Sequence, residues 1–398
     1  MKLYLNNIGI INALGCGKET VFSKLITPHT QTMTAYDKLF SGEDTWVAQV
    51  KDELVSLPKS LNNFSCRNNK LLATAYAQIK DDVEILKSQF GKARIGIVLG
   101  TSTAGIAATE SALIYKKKHG EFPEAFNYDQ QEIGSSAEFL AEYAGITGVH
   151  YTVSTACSSS GKAFSSARRL IESGLCEAVI VGGSDSLCQM TLNGFNCLGL
   201  TAQKICNPFS QNRQGLNIGE GAALFILSKN PAEISLTGIG ESSDGHHISS
   251  PDPEGIGAKM AINQALSESG HSPKDIGYLN LHGTATLKND EMEAKVVSKI
   301  FGSRLPCSST KPLIGHTLGA ASAQELALCW LLLSQKHNPE KIIPAQAWDN
   351  CYDPNLPPLN ITQDNSHFKH PIMMSNSFAF GGSNISIIIE HSDMAKAN

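Results

Sequence analysis

No run of about 18 apolar residues occurs anywhere in the 398-residue chain, and the longest candidate, residues 326–333, is too short to cross a bilayer. A membrane span is therefore excluded. The N-terminus, Met1-Lys2-Leu3-Tyr4-Leu5, has no signal-peptide apolar region and reads better as a first strand, so cytoplasmic residence is expected. Charge of one sign is also scarce. With 32 Lys and Arg against 37 Asp and Glu, the mild net charge of −5 argues against nucleic acid as the main partner, since phosphate binding needs a concentrated basic face, and it leaves room for a local basic patch that suits a small acidic partner. Ten cysteines are scattered without CxxC pairs or regular spacing, so neither a disulfide framework nor a zinc site is indicated. No metal or cofactor is expected. A glycine-rich segment, Gly15-Cys16-Gly17-Lys18-Glu19, lacks the first Gly and the Ser or Thr after Lys that a phosphate loop needs, and it reads as a turn and a helix start.

What remains is an ordinary globular composition, 41% hydrophobic and 17% charged, in a chain long enough for two domains or two layered halves. Apolar strands alternate with helices throughout. Strands are expected at residues 95–99, 149–153, 178–181 and 222–227, with helices at 67–88, 135–144 and 158–173. From about residue 231 the plan restarts, with strands at 234–239, 278–281, 372–375 and 385–389 and helices at 257–269, 290–301 and 319–335. This predicts an α/β architecture with covered, mostly parallel sheets, in two halves spanning 1–230 and 231–398.

The stretch Val153-Ser154-Thr155-Ala156-Cys157-Ser158-Ser159-Ser160-Gly161 places a cysteine where a strand turns into a helix. Unpaired backbone N–H groups and the macrodipole at a helix N-terminus favour a thiolate, so the Cys157 pKa is expected to fall. A buried, inert thiol is the competing reading. Three further loops follow strands and carry reactive or small residues: His282-Gly283-Thr284-Ala285-Thr286, Lys311-Pro312-Leu313-Ile314-Gly315-His316 and Phe378-Ala379-Phe380-Gly381-Gly382-Ser383-Asn384. Sites in such sheets form beyond the carboxyl ends of strands, where all four loops can converge.

These four motifs, in this order, resemble the β-ketoacyl-[acyl carrier protein] synthases, and the Cys-His-His set is similar to the elongating types I and II. The resemblance covers essentially the whole chain. It implies the thiolase fold, two related halves forming a five-layered αβαβα core, usually dimeric. It also implies an acyltransferase that joins an acyl group held on Cys157 to malonyl-[acyl carrier protein] by decarboxylative Claisen condensation, in fatty-acid or type II polyketide or polyene synthesis. A chain-length-determining partner of such an enzyme is the alternative, disfavoured because those partners characteristically lack the nucleophilic cysteine.

By the same resemblance His282 and His316 stabilise the enolate, and the backbone N–H groups of Cys157 and Phe380 form the oxyanion hole. Lys311 pairs with Glu293, which fixes the histidine loop. Thr284 and Thr286 bind the phosphopantetheine arm, Phe380 gates the site, and Thr103 and Phe378 line the acyl pocket. Lys288 and Asn289 depart from the small residues usual after the His-Gly-Thr motif. Arg213, with Arg67 and Lys70, is a candidate basic patch for the acyl carrier protein. A homodimer, or a heterodimer with a ketosynthase-like chain-length factor, is expected.

Overall fold

The structure, a computed structural model, describes residues 1–27 and 30–392. Ten strands carry the architecture. Five belong to the first half: β1 (Leu3–Asn12), β2 (Ile95–Gly100), β3 (His150–Val153), β4 (Ala178–Asp185) and β5 (Gly221–Ser228). Five belong to the second: β6 (Ile234–Ser243), β7 (Tyr278–Asn280), β8 (Pro306–Ser308), β9 (Ile372–Phe378) and β10 (Ser383–His391). The first five lie in the spatial order 3-2-4-5-1 and the second five in the order 8-7-9-10-6. The two orders are the same topology repeated. β1 and β6 pair antiparallel at Leu3↔Leu236 and Tyr4↔Ser235, which joins the two arrays into one sheet.

Period-2 side chains on these strands face helices on both sides. On one outer face α1 (Arg67–Ala77) and α2 (Ser135–Ala144) bury Leu71, Leu72, Phe139 and Leu140 against Ile97, Ile180 and Leu224. The alternate residues Val98, Val179, Val181 and Phe225 point inward, against Phe164 of α3 (Ser159–Glu172) and Leu326 and Leu331 of α6 (Ala321–Leu333). Those two central helices also cover Met373, Ile385, Ile387 and Ile389 of the second array. Beyond it, α4 (Ile256–Ser269) and α5 (Leu287–Phe301) bury Ile262, Leu266, Met292 and Val296 against Leu279, Met374 and Ile388. Helix, sheet, helices, sheet, helix make five layers. Every residue of α6 is buried, as a helix apolar all round must be.

Three expectations need correction. The sheet is mixed rather than mostly parallel: β9 and β10 are joined by the short turn at residues 379–382, and a link that short permits only an antiparallel pair. β3 is not a buried strand; it lies at the end of the sheet with His150 and Tyr151 exposed. The helix expected over 67–88 is broken in two at Ile79, whose backbone leaves the helical region (φ −120°, ψ 4°), and beside the break the Gln78 side-chain amide clamps both backbone groups of Ile10 on β1.

Candidate active site

The chain leaves β3, passes Ala156 in the left-handed region at φ 53°, and enters α3 at Ser159. A non-glycine residue there costs about 1–2 kcal/mol. The sharp turn is held by side chains: Ser159 Oγ accepts from the Thr155 N–H at 2.8 Å, and Ser158 Oγ donates to the Thr155 carbonyl at 2.8 Å. Helix α3 sits so close to β2 that a Cβ on Gly100 would come within 2.1 Å of the Ser160 nitrogen. The small residues around the cysteine are therefore a packing requirement, and their result is a fixed position for Cys157.

His282 follows β7, and its loop is fixed by Glu293 of α5. The Glu293 carboxylate accepts the backbone N–H of His282 at 2.8 Å and that of Gly283 at 2.7 Å. His316 is clamped on both sides of its backbone, its N–H donating to the Asn217 carbonyl at 2.7 Å and its carbonyl accepting from Gly219 at 3.0 Å. These constraints bring His316 Nε2 to 2.9 Å from Cys157 Sγ. The rings of His282 and His316 stand edge to face, centroids 5.4 Å apart, and one donor atom from each of the three residues lies within 4.8 Å of the others. Phe378 packs on His282 at 6.2 Å between ring centroids.

Burial dominates the electrostatics. It pushes the Cys157 thiol up to about 11, against the expected fall; the Lys311 charge and the backbone N–H groups of Phe380 and Cys157 oppose it and do not overcome it. Burial first, and the Lys311 charge second, hold both imidazoles well below the usual histidine value. Both are therefore neutral near pH 7, able to donate an N–H to a developing oxyanion. Nitrogen and sulfur donors at this spacing also suit a soft cation. Among the described residues, however, neither imidazole Nδ1 has the hydrogen-bond partner that orients a metal-bound histidine, and the arrangement is better fitted to acid-base and hydrogen-bonding work.

Lys311 does not pair with Glu293. Its Nζ lies 2.6 Å from Glu325 Oε1 on α6, both side chains 1% exposed. The physical reason is that Glu293 is already committed to two backbone donors, and burial lifts it to about 7. Nor does Thr103 reach the cavity wall. Its Oγ1 and backbone N–H both donate to Asp185 Oδ1 at 2.7 Å, which folds the loop after β2 onto the end of β4. The basic patch is not assembled either: Arg67 donates to Glu220 at 2.8 Å and Arg213, buried, to Asp353 at 2.5 Å. Lys70 is half-buried on α1.

A cavity of about 380 Å³ opens onto Cys157, His282 and His316. Thr284 and Thr286 lie on its wall with their hydroxyls 2.8 Å apart, and Phe378 and Phe380 line it from the opposite loop. The Phe380 ring sits 5.5 Å from Phe195. Lys288 is at the rim, donating to Ser250 Oγ at 3.0 Å, while Asn289 is buried against Asp290. Asp185, Glu325, Asn217 and Asp290 were not singled out from sequence. Two of them carried a signal: Asp185 ends an apolar strand, and Glu325 interrupts an apolar helix, and a buried carboxylate needs partners in either place.

Family models for "Beta-ketoacyl synthase, N-terminal domain" and "Beta-ketoacyl synthase, C-terminal domain" match residues 45–232 and 233–343. Nodulation protein E of Rhizobium meliloti is 31% identical over 73% of this chain and 74% of its own length. The 3-oxoacyl-[acyl-carrier-protein] synthase 2 of Rhizobium meliloti strain 1021 is 26% identical over 98% of both chains. Among solved structures, a chain from the complex of the ketosynthase ApeO with its chain length factor ApeC, from Xenorhabdus doucetiae, superimposes with a TM-score of 0.93 at 44% identity, covering 98% of both chains. The five-layered architecture is the thiolase fold.

Proposed function

The chain belongs to the β-ketoacyl synthase family, and from that premise we propose that Cys157, His282 and His316 carry out a decarboxylative Claisen condensation between an acyl group and malonyl-[acyl carrier protein]. The observation that carries this assignment is the 2.9 Å contact between His316 Nε2 and Cys157 Sγ, with His282 sharing the same cavity. The protein is an acyltransferase. Cys157 Sγ bonds to the acyl carbonyl carbon of an acyl carrier thioester as the carbon–sulfur bond to pantetheine breaks, and the proton leaving Cys157 passes by way of His316 to the departing thiol. Malonyl carrier protein enters next. Its carboxylate departs as CO2, and the enolate oxygen left behind accepts N–H hydrogen bonds from the two neutral imidazoles.

The enolate carbon then attacks the thioester on Cys157. The tetrahedral oxyanion takes the backbone N–H groups of Cys157 and Phe380, which converge beside the sulfur. That attack makes the carbon–carbon bond; collapse of the tetrahedral adduct restores the carbonyl of the β-ketoacyl carrier product and breaks the carbon–sulfur bond to Cys157, whose sulfur takes up one proton from solvent by way of His316. Thr284 and Thr286 hydrogen-bond the pantetheine arm on its way in, and Phe380 gates the inner end. Lys311, through its pair with Glu325, and Glu293 position the histidine loops. We take the repeated topology to divide the chain at about residue 230, the cysteine in one half and the histidines in the other.

The partners in this reading are the acyl and malonyl forms of an acyl carrier protein and a second ketosynthase-like chain, docked on the open edge of β3. A chain length factor is supported as that second chain by the 44% identity to one chain of a complex between a ketosynthase and its chain length factor. This chain is the active half, because it keeps Cys157 and both histidines. No described helix is long and apolar enough to cross a membrane, and we place the protein in the cytoplasm with its carrier. The test is intact mass. Mixed with acyl carrier protein, the wild type should gain the acyl mass and Cys157→Ala should not; an unlabelled wild-type thiol would overturn the assignment.

A further inference from the structure

Acidic carrier proteins are expected to dock on basic patches, and the described residues that line this cavity do not form one. Arg67 and Arg213 are neutralised by Glu220 and Asp353. Lys288 is the single lysine on the cavity wall, and Asp244 stands on the same wall, with Asp252 on the adjoining loop donating its N–H to Asp244. His246 and His247 on that loop are exposed. Large apolar side chains stand at the mouth instead. Leu198, at the end of the helix Gln189–Cys197, is 57% exposed; Leu287, at the start of α5, is 59% exposed; Ile248, on the loop between β6 and α4, is 80% exposed. Leu198 and Leu287 line the cavity itself, and Ile248 adjoins the lining residues Ser249 and Ser250, the second of which receives the Lys288 hydrogen bond. The three flank the opening on separate elements.

We propose that Leu198, Ile248 and Leu287 form an apolar lip on which the carrier protein docks, so that its recognition is hydrophobic and nearly independent of salt. The proposal rests on the reading that a carrier-borne pantetheine enters this cavity. It follows from the charges. With one lysine against two carboxylates at the mouth, an acidic partner gains no net attraction, and exposed apolar surface rimmed by polar groups is where a partner settles.

The experiment uses the chain in the oligomeric form in which it purifies and the holo-acyl carrier protein of the same organism. Binding is titrated at low and high salt for the wild type, Leu198→Asp, Ile248→Asp and, as a remote control, Ile85→Asp on the exposed face of the helix Lys80–Phe90. The dissociation constant of the wild type should change less than about twofold between about 0.05 and 0.5 M salt, a range over which surface ion pairs are strongly screened. Each lip variant should weaken binding about tenfold or more, and Ile85→Asp should not. Acylation of Cys157 by a short N-acetylcysteamine thioester should be unchanged in Ile248→Asp, whose side chain is not on the cavity wall, which also shows that this variant folds; the far-ultraviolet circular dichroism of Leu198→Asp should match the wild type. Carrier binding that collapses with salt, or that survives both lip substitutions, would overturn the lip. Failure of the small thioester to acylate the wild type would instead remove the condensing assignment and leave the binding result standing.

Discussion

The ammonium of Lys311 and the carboxylate of Glu325 meet at 2.6 Å inside the central layer, one on the loop that leads to His316 and the other on the fully buried helix α6. Removing one member of such a pair leaves a charge with no partner in the interior. Glu325→Ala should therefore destabilise the protein by about 3–5 kcal/mol, while the double substitution Lys311→Met with Glu325→Leu recovers most of that loss. Denaturation of the three proteins side by side checks this. Recovery of stability without recovery of condensation would assign Lys311 to the site as well as to the core.

Glu293 presents two acceptors to the backbone N–H groups of His282 and Gly283, and an amide can offer one of them at most. Glu293→Gln turns an NH2 toward a buried N–H, a mismatch worth about 1–3 kcal/mol. Expressed on the reaction, condensation should fall about 10- to 100-fold while alkylation of Cys157 continues at the wild-type rate. A variant that loses both equally has lost its fold, and the specific claim with it.

The thiol of Cys157, raised to about 11 by burial, is protonated across the physiological range. Below that value the thiolate fraction grows about tenfold per pH unit. Inactivation by iodoacetamide should rise with that slope from about pH 7 to 9 and show no plateau. A plateau near neutrality would mean that the helix N-terminus outweighs burial. The imidazoles, held well below the usual histidine value, are neutral throughout that window.

Ala156 holds φ 53° directly before the nucleophile. Glycine relieves the strain there, and a β-branched side chain makes it worse. Ala156→Gly should keep Cys157 acylation within a few-fold of wild type, whereas Ala156→Val should lower it by about tenfold or more through a shifted sulfur.

Much of this site is legible in the sequence because Cys157 and His282 lie within a few residues of a strand's end and are followed by small residues, a pattern that depends on local chemistry, while His316 lies beyond the short helix Lys311–Ile314 and is marked by Gly315 before it. Cys157, His282 and His316 all fall where those loops put them. What the sequence hides is pairing over distance. Lys311 and Glu325 are fourteen positions apart, and nothing local says that Glu293 prefers two peptide N–H groups to that lysine. The direction of the thiol shift is hidden because a helix terminus is visible in sequence and burial is not. The strand β3 has a β-branched core composition yet lies exposed at the sheet's end. The helix Ile106–His119 has no apolar periodicity to read, because it buries Ala112 alone and its apolar residues follow no face.

The central claim is that two neutral imidazoles act on a second substrate after Cys157 has been loaded. Protein carrying a preformed acyl group on Cys157 should be mixed with malonyl carrier protein and followed by intact mass through a single turnover. The wild type should lose the acyl mass and release one CO2 per β-ketoacyl carrier formed, while His282→Ala and His316→Ala stay acylated. Discharge of the acyl group by both histidine variants at the wild-type rate would contradict the account.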